Sequence, residues 1–411
     1  MKLTYKYRIY PNKKQGEALL DIFELCNDLY NSALEERISF YNRYGKGVSY
    51  SDQTGELTLM KNDPNFNQEI REELLNIHSQ VLQQVLKQVD TSYQNFFRRV
   101  KSGADKVGFP RFKSIDRFRS ICFPQCNLIS GGVKRLPNNK LVVKGIPGEL
   151  KVVWHRSLPK EDYVKQIRIE KQSGKYYLCI HLDNVASQPL ASTGKTLAID
   201  LGLNTFIVAD DGSSFHHPKP YKTSKDKLAH QSRKLEKKKR GSNNRKRLVK
   251  QIGRTYERIT NIRTDFLHRV AKQLVVENDV IIIEKLNVKG MLEQEKPVYI
   301  EGQPFKILPK KSNIQDASWA TFVALLTYKA ERAGRKIIEV NPRGTSKTCS
   351  CCGNIKEDLT LKDRIYNCEI CKISIDRDLN AAYNIRSRGL GISLAVPANA
   401  GASEAAAFMP Q

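Results

Sequence analysis

At 411 residues the chain is long enough for two or three packed modules. Sixty-nine Lys and Arg against 43 Asp and Glu give a formal net charge of +26, which calls for a polyanionic partner. No apolar run approaches the ~20 residues that span a bilayer and no signal-peptide pattern opens the chain, so nucleic acid, not a membrane, is the expected polyanion and a reducing cytoplasm the expected compartment.

Lys2 to Tyr10 alternates Leu3, Tyr5, Tyr7 and Ile9 with polar residues, which predicts a strand ended by Pro11-Asn12. Leu19, Ile22, Phe23, Cys26, Leu29, Tyr30, Ala33 and Leu34 then recur at helical spacing up to Gly45. A second long helix is marked by Val81, Leu82, Val85, Leu86, Val89, Tyr93, Phe96 and Phe97; these stripes read as core packing between helices. Lys106, Phe109, Arg111, Phe112, Lys113, Arg117 and Arg119 interleave cations and aromatics around Gly108 and Pro110, a composition suited to a nucleic-acid backbone with exposed bases. Residues 133 to 183 read as short antiparallel strands, a small barrel completed by the N-terminal strand, and Asn184 to Lys195 as a linker.

Past the linker, Thr196 to Leu201 is an apolar strand with Asp200 embedded in it, and residues 205–209 return as a hairpin partner. A buried Asp in a strand is costly unless it is paired or binds a metal. The densely basic stretch from Lys222 to Arg263 includes Lys237, Lys238, Lys239 and Arg240, then Arg245, Lys246 and Arg247, and passes into an amphipathic helix through Leu248, Ile252, Ile259, Phe266 and Val270. With this charge excess, a face lying on a phosphate backbone is the expected role. Val280 to Glu284 is a second apolar strand ending in an acid, and Lys336 to Val340 a third.

Cys349, Cys352, Cys368 and Cys371 form Cys-x2-Cys, fifteen residues, Cys-x2-Cys, the spacing of a four-thiolate zinc ribbon with one structural zinc. Cys351 is an extra thiol inside the first pair and a competitor for the metal. Asp376-Arg377-Asp378-Leu379-Asn380 follows, and is no calcium loop, since Ala381 and Ser387 stand where Gly and Glu are needed. Asp200, Glu284 and one of Asp376 or Asp378 therefore form a set of acids on strands or at a helix start. In a basic chain they suit two-metal (Mg²⁺) phosphodiester hydrolysis, and the element order is that of an RNase H-like domain. The Ala-rich stretch from Gly389 to Gln411 has no periodicity and reads as a mobile tail.

Ala198-Ile199-Asp200-Leu201-Gly202, Ile283-Glu284-Lys285-Leu286-Asn287, Thr345-Ser346-Lys347-Thr348-Cys349 and Asp376-Arg377-Asp378-Leu379-Asn380-Ala381-Ala382 resemble the RuvC and zinc-ribbon motifs of TnpB, the insertion-sequence-encoded RNA-guided DNA endonucleases related to type V CRISPR effectors. Tyr7-Arg8-Ile9-Tyr10-Pro11 and Gly108-Phe109-Pro110-Arg111-Phe112 extend the match to the N-terminal half; Lys347 stands where a Gln is common. The resemblance implies a multidomain α+β and α/β chain. Its parts would be a wedge β-barrel (1–10 and 113–190), a helical recognition domain (11–112), a RuvC domain (195–345 and 373–389), a zinc ribbon (346–372) and a disordered tail (390–411). It implies a guide RNA from the transposon right end, cleavage of double-stranded DNA beside a short adjacent motif, and a monomeric ribonucleoprotein. It makes Asp200, Glu284 and Asp378 the catalytic, magnesium-binding acids, with Asp376 as helix cap. Two alternatives stand beside it: a nuclease-dead RNA-guided repressor, which the intact acid set disfavours, and a DNA transposase, which the ribbon and the N-terminal match disfavour.

Overall fold

The computed structural model describes residues 1–158, 163–293, 309–360 and 363–392. The expected tail lies, beyond residue 392, outside the described residues. The chain is a mixed α/β protein of two compact units, Met1–Val185 and Ala186–Gln411. Among the described residues no helix is long and apolar enough to cross a membrane.

The first unit runs β1 (Leu3–Tyr10), α1 (Lys13–Tyr44), α2 (Tyr50–Asn62), α3 (Gln68–Asn76), α4 (Ser79–Lys101), β2 (Ser120–Pro124), β3 (Val133–Arg135), β4 (Leu141–Val143), β5 (Lys151–Val153), β6 (Val164–Gln172) and β7 (Lys175–Leu182). Tyr5, Tyr7 and Ile9 of β1 are buried, as their alternation dictates. The strand pairs antiparallel with β7 on one side and β5 on the other, in a sheet of order β2-β6-β7-β1-β5. The β3–β4 hairpin reaches the β5 edge through a bridge between Leu141 and Leu150. Among the described residues no ladder joins β2 to β3. They meet through side chains, so closely that a Cβ on Gly132 would fall 2.5 Å from the Phe123 ring.

Helix α1 opens on Asn12, whose side chain accepts from the Gln15 N–H while Gln15 reaches back, and closes on Gly45 at φ +66°. Its apolar stripe and that of α4 form one core with the sheet, with Leu82, Leu86 and Leu34 almost fully enclosed. Burying each such side chain stabilises the fold by about 1.5–3 kcal/mol.

The second unit runs β8 (Thr196–Leu201), β9 (Ile207–Ala209), β10 (Ser214–Phe215), α5 (Pro220–Glu236), α6 (Asn243–Glu277), β11 (Val280–Glu284), α7 (Val288–Glu293), α8 (Pro309–Ala317), α9 (Trp319–Ala333), β12 (Lys336–Val340), β13 (Ile365–Asn367), β14 (Ser374–Asp376) and α10 (Arg377–Leu390). The main sheet has the order β10-β9-β8-β11-β12, with β8, β11 and β12 parallel and β9 and β10 antiparallel. Parallel strands are covered on both faces, which is why β8 and β11 read as continuous apolar runs. Leu197, Ile199, Ile281 and Ile283 point into a core with Phe266, Leu267, Val270 and Leu274 of α6 and Phe322 and Leu326 of α9. On the opposite face Ala198, Ile282 and Val340 pack against Ile385 of α10. Gly389 brings α10 so close that a Cβ there would lie 2.4 Å from Ile282.

Candidate active site

The alternation along β8 and β11 decides where the acids point. Asp200 shares the parity of Ala198, and Glu284 that of Ile282, so both carboxylates leave the sheet on the α10 face. Ile199 pairs with Ile283, which places Asp200 and Glu284 side by side at the C-terminal ends of neighbouring parallel strands. Such strand ends are the usual place for a site in a parallel sheet. Glu284 is buried and Asp200 partly so. Burial, then the carboxylates of Glu284 and Asp378, hold the Asp200 carboxyl well above the usual range, with Arg377 opposing. Burial also raises Glu284, against the Thr345 hydrogen bond and the charge of Arg388.

The third acid comes from α10. Asp376 is its N-cap, accepting from the N–H groups of Asp378 and Leu379 at 2.9 and 3.0 Å, so its carboxylate is used by the helix. Asp378, in the first turn, reaches the end of β8: a Cβ on Gly202 would lie 4.0 Å from its Oδ2. Arg377 pairs with Asp378 at 3.0 Å and Arg364 stands 3.8 Å away. Three carboxylates at one end of the sheet, with Asp200 repelled by the other two, are the donor chemistry of a hard divalent cation.

The four cysteines are a tighter set. The Sγ atoms of Cys349, Cys352, Cys368 and Cys371 all lie within 4.8 Å of one another, the one such group of possible metal ligands among the described residues. The pairs Cys349–Cys371 and Cys352–Cys368 stand at 3.5 Å. A tetrahedron with ~2.3 Å metal–sulfur bonds has edges of about 3.8 Å, so the geometry fits a four-thiolate metal centre. Cys351 packs beside the cluster but is not in it. Burial pushes the Cys349 thiol up; at Cys368 burial acts the same way but the N–H groups of Cys371 and Ile370 outweigh it, leaving that thiol at about 7. Tyr366, fully buried, ties the centre together through its hydroxyl at 3.1 Å from the carbonyls of both Lys347 and Asn354.

Residues to which the sequence motifs assigned no role join these two centres. The Thr345 hydroxyl donates to Glu284 Oε1. Asn384 donates to the carbonyls of Thr345 and Thr348, while Asn380 donates to Thr348 and accepts from the Ser350 N–H. No periodicity marks them. The signal for the helix residues was two Asn, Asn380 and Asn384, among Ala381, Ala382 and Ile385 on the buried face of α10.

The basic residues fall into two groups, one in each unit. In the first unit Phe109 sits edge-on to Tyr93 and Phe96, and Phe112 is exposed. Lys106, Arg111, Arg117 and Arg119 are exposed. Lys113 differs from the expectation: its amine lies 3.7 Å from the centroid of the Tyr30 ring and donates to Gln88, and burial lowers its pKa. It serves the local packing.

In the second unit Lys237, Lys238, Lys239 and Arg240 occupy the exposed turn between α5 and α6. Lys246 and Arg247 are exposed as well, whereas Arg245 is turned inward to cap the end of α5 through the carbonyl of Leu235. Between α5 and α6 lie two clefts of about 760 and 430 Å³. Their walls add Lys227, Lys234, Arg254 and Arg258 to the predicted cations.

Three family models match the chain: "Probable transposase" of the OrfB_IS605 type over residues 166–295, "Cas12f1-like, TNB domain" over 319–385, and a "Helix-turn-helix domain" of the OrfB type over 1–46. The last region is strand β1 and the single long helix α1. A protein of Streptomyces pristinaespiralis named "Putative RNA-guided DNA endonuclease" is 28% identical over 395 residues, covering 96% of this chain and 90% of that protein. "Putative RNA-guided DNA endonuclease InsQ" of Escherichia coli (strain K12) is 26% identical over 390 residues, covering 94% and 92%. A solved structure of "the mini-RNA-guided endonuclease CRISPR-Cas_phi3" shares the fold with a TM-score of 0.53 at 12% identity, over 97% of this chain and 94% of that one. Along nearly its whole length the chain is similar to TnpB-type (OrfB) proteins, and over residues 319–385 to the Cas12f1-like domain.

Proposed function

We propose that this protein is an RNA-guided DNA endonuclease encoded by a transposable element, cutting double-stranded DNA beside a short adjacent motif. The observation that carries the reading is the convergence of Asp200, Glu284 and Asp378 at one end of the sheet, each delivered by a different element. The names of the full-length relatives support it, and so does the net charge of +26. In this reading residues 1–10 and 113–190 are the wedge barrel, 11–112 the recognition helices, 195–345 and 373–389 the RuvC domain, and 346–372 a zinc ribbon.

Asp200, Glu284 and Asp378 would hold two magnesium ions, and the four cysteines one zinc. Magnesium bound there supplies charge for the attacking and leaving oxygens of phosphodiester hydrolysis. The chain's own part is positional: the β8–β11 ladder sets the spacing of two acids, and the Asp376 cap fixes the first turn that carries the third. The guide RNA, from the transposon right end, would select sequence by base pairing in a monomeric ribonucleoprotein. The exposed cations of the α5–α6 turn and clefts, together with Lys106, Arg111, Arg117 and Arg119, would hold phosphates.

Sequencing the RNA that co-purifies with the protein, then offering DNA matched to its variable end, tests the proposal. Magnesium-dependent cutting of the matched DNA alone is expected. Cutting that needs no RNA, or ignores its sequence, contradicts it.

A further inference from the structure

The segment between β12 and the first cysteine is turn, tied to other backbone by a single bridge from Thr348 to Ile355, yet it carries Thr345, which is 3% exposed. Its hydroxyl has one proton and two acceptors in reach, Glu284 Oε1 at 2.5 Å and the Pro342 carbonyl at 3.1 Å. The nearer, charged acceptor takes it, since hydrogen bonds to carboxylates are shorter and stronger than those to carbonyls. What holds Thr345 is α10. Asn384, fully buried, donates to the Thr345 carbonyl at 2.8 Å and the Thr348 carbonyl at 2.7 Å. Asn380, equally buried, donates to Thr348 at 2.8 Å and accepts from Ser350 at 2.9 Å, one residue past Cys349. Arg388 clamps the start of the segment through the carbonyls of Asn341 and Arg343, both at 2.8 Å. The helix that carries Asp378 in its first turn therefore also grips, with Asn380, Asn384 and Arg388 along its next three turns, the segment that restrains Glu284. That segment runs without a break into the first cysteine pair.

Taking Glu284 as a metal ligand, as proposed above, we propose that Thr345 is a positioning residue that fixes the Glu284 carboxylate for divalent-metal binding. Asn384 holds it in place, and the four-cysteine centre and the acidic site are thereby one mechanical unit. A glutamate has three side-chain torsions to settle unless a donor selects one orientation, and losing a hydrogen-bond donor to a metal-binding carboxylate typically changes metal affinity 10–100-fold. Loosening the cysteine centre would release Ser350 and Thr348, then Thr345, and so reach Glu284 without touching it.

The test uses the zinc-loaded full-length chain with Mn²⁺ as the probe, titrated by electron paramagnetic resonance, beside zinc content by mass spectrometry. Thr345→Val keeps the branched shape and removes the donor; Thr345→Ala removes it without placing a new methyl against the carboxylate. Both should lower Mn²⁺ affinity about 10-fold while keeping one zinc per chain, and Thr345→Ser should restore affinity to within about twofold of wild type. Wild-type Mn²⁺ affinity in both donor-free variants overturns the proposal. So does a loss of zinc that Thr345→Ser fails to rescue, which would mark a purely structural residue. Glu284→Gln is measured in parallel. If it alone keeps wild-type Mn²⁺ affinity, the assignment of Glu284 as a ligand has failed, an outcome distinct from failure at Thr345.

Discussion

Ile199 and Ile283 are partners in the parallel ladder between β8 and β11, and Asp200 and Glu284 follow them by one residue each. A shift of one residue in that register would turn one acid into the α6 and α9 core and leave the other alone. The spacing of the two carboxylates is thus a property of the sheet, and the third acid is brought to them by a helix packed on the same face.

The division of labour between Asp376 and Asp378 is testable by stability. Asp376→Ala removes an N-cap that serves two backbone N–H groups, and should cost about 1 kcal/mol and roughly 2–4 °C in Tm while metal binding largely persists. Asp378→Ala should do the reverse, abolishing Mn²⁺ binding with little change in Tm. Calorimetry with a metal titration separates them; loss of metal binding in Asp376→Ala alone would exchange the two roles.

Zinc content should follow the cluster geometry. Cys349→Ser, Cys352→Ser and Cys368→Ser should each lose the metal, and Cys351→Ser should retain one per chain, because its sulfur stands outside the group of four. Metal analysis of the purified variants decides it. Retention in Cys349→Ser with loss in Cys351→Ser would rewrite the ligand set.

Neutralising Lys237, Lys238, Lys239 and Arg240 together should weaken guided DNA binding to a similar degree for targets of different sequence. It should also reduce the slope of log affinity against log salt by roughly one unit per phosphate contact removed. Preference for the adjacent motif should stay as it is. Binding titrations at several salt concentrations measure both; an altered motif preference with an unchanged slope would mean these residues read bases.

Gly389→Ala would drive a methyl into Ile282, where 2.4 Å leaves no room. Overpacking of this kind costs about 1–3 kcal/mol, so the variant should melt earlier and cut more slowly as α10 shifts from β11. Adding Ile282→Ala should recover part of the activity; a Gly389→Ala protein as stable and active as wild type would show that α10 does not need that approach.

How much of this was written in the sequence depends on the range of the forces involved. Asp200 and Glu284 were legible because an acid breaking an apolar run is visible within six residues, and the cysteines because their spacing is local. Helices α2 and α3 were not: they bury only Gln53 and Leu57, and Leu74, too few for a periodic stripe. Their signals were caps, Ser49 with Asp52 and Asn67 with Ile70, easily lost in polar sequence.

Charge alone could not separate Lys113 and Arg245, which face Tyr30 and the end of α5, from neighbours that face solvent. Thr345 acts on a residue 61 positions away, and nothing near it in sequence announces that contact.

The central claim is that the three acids form a hydrolytic metal site that RNA-guided binding does not need. The most direct measurement is cleavage and binding of matched double-stranded DNA by the ribonucleoprotein of Asp200→Ala beside wild type, in magnesium. Cleavage should fall below detection while affinity for the matched target stays within about twofold. Continued cleavage by Asp200→Ala would contradict the account at its base.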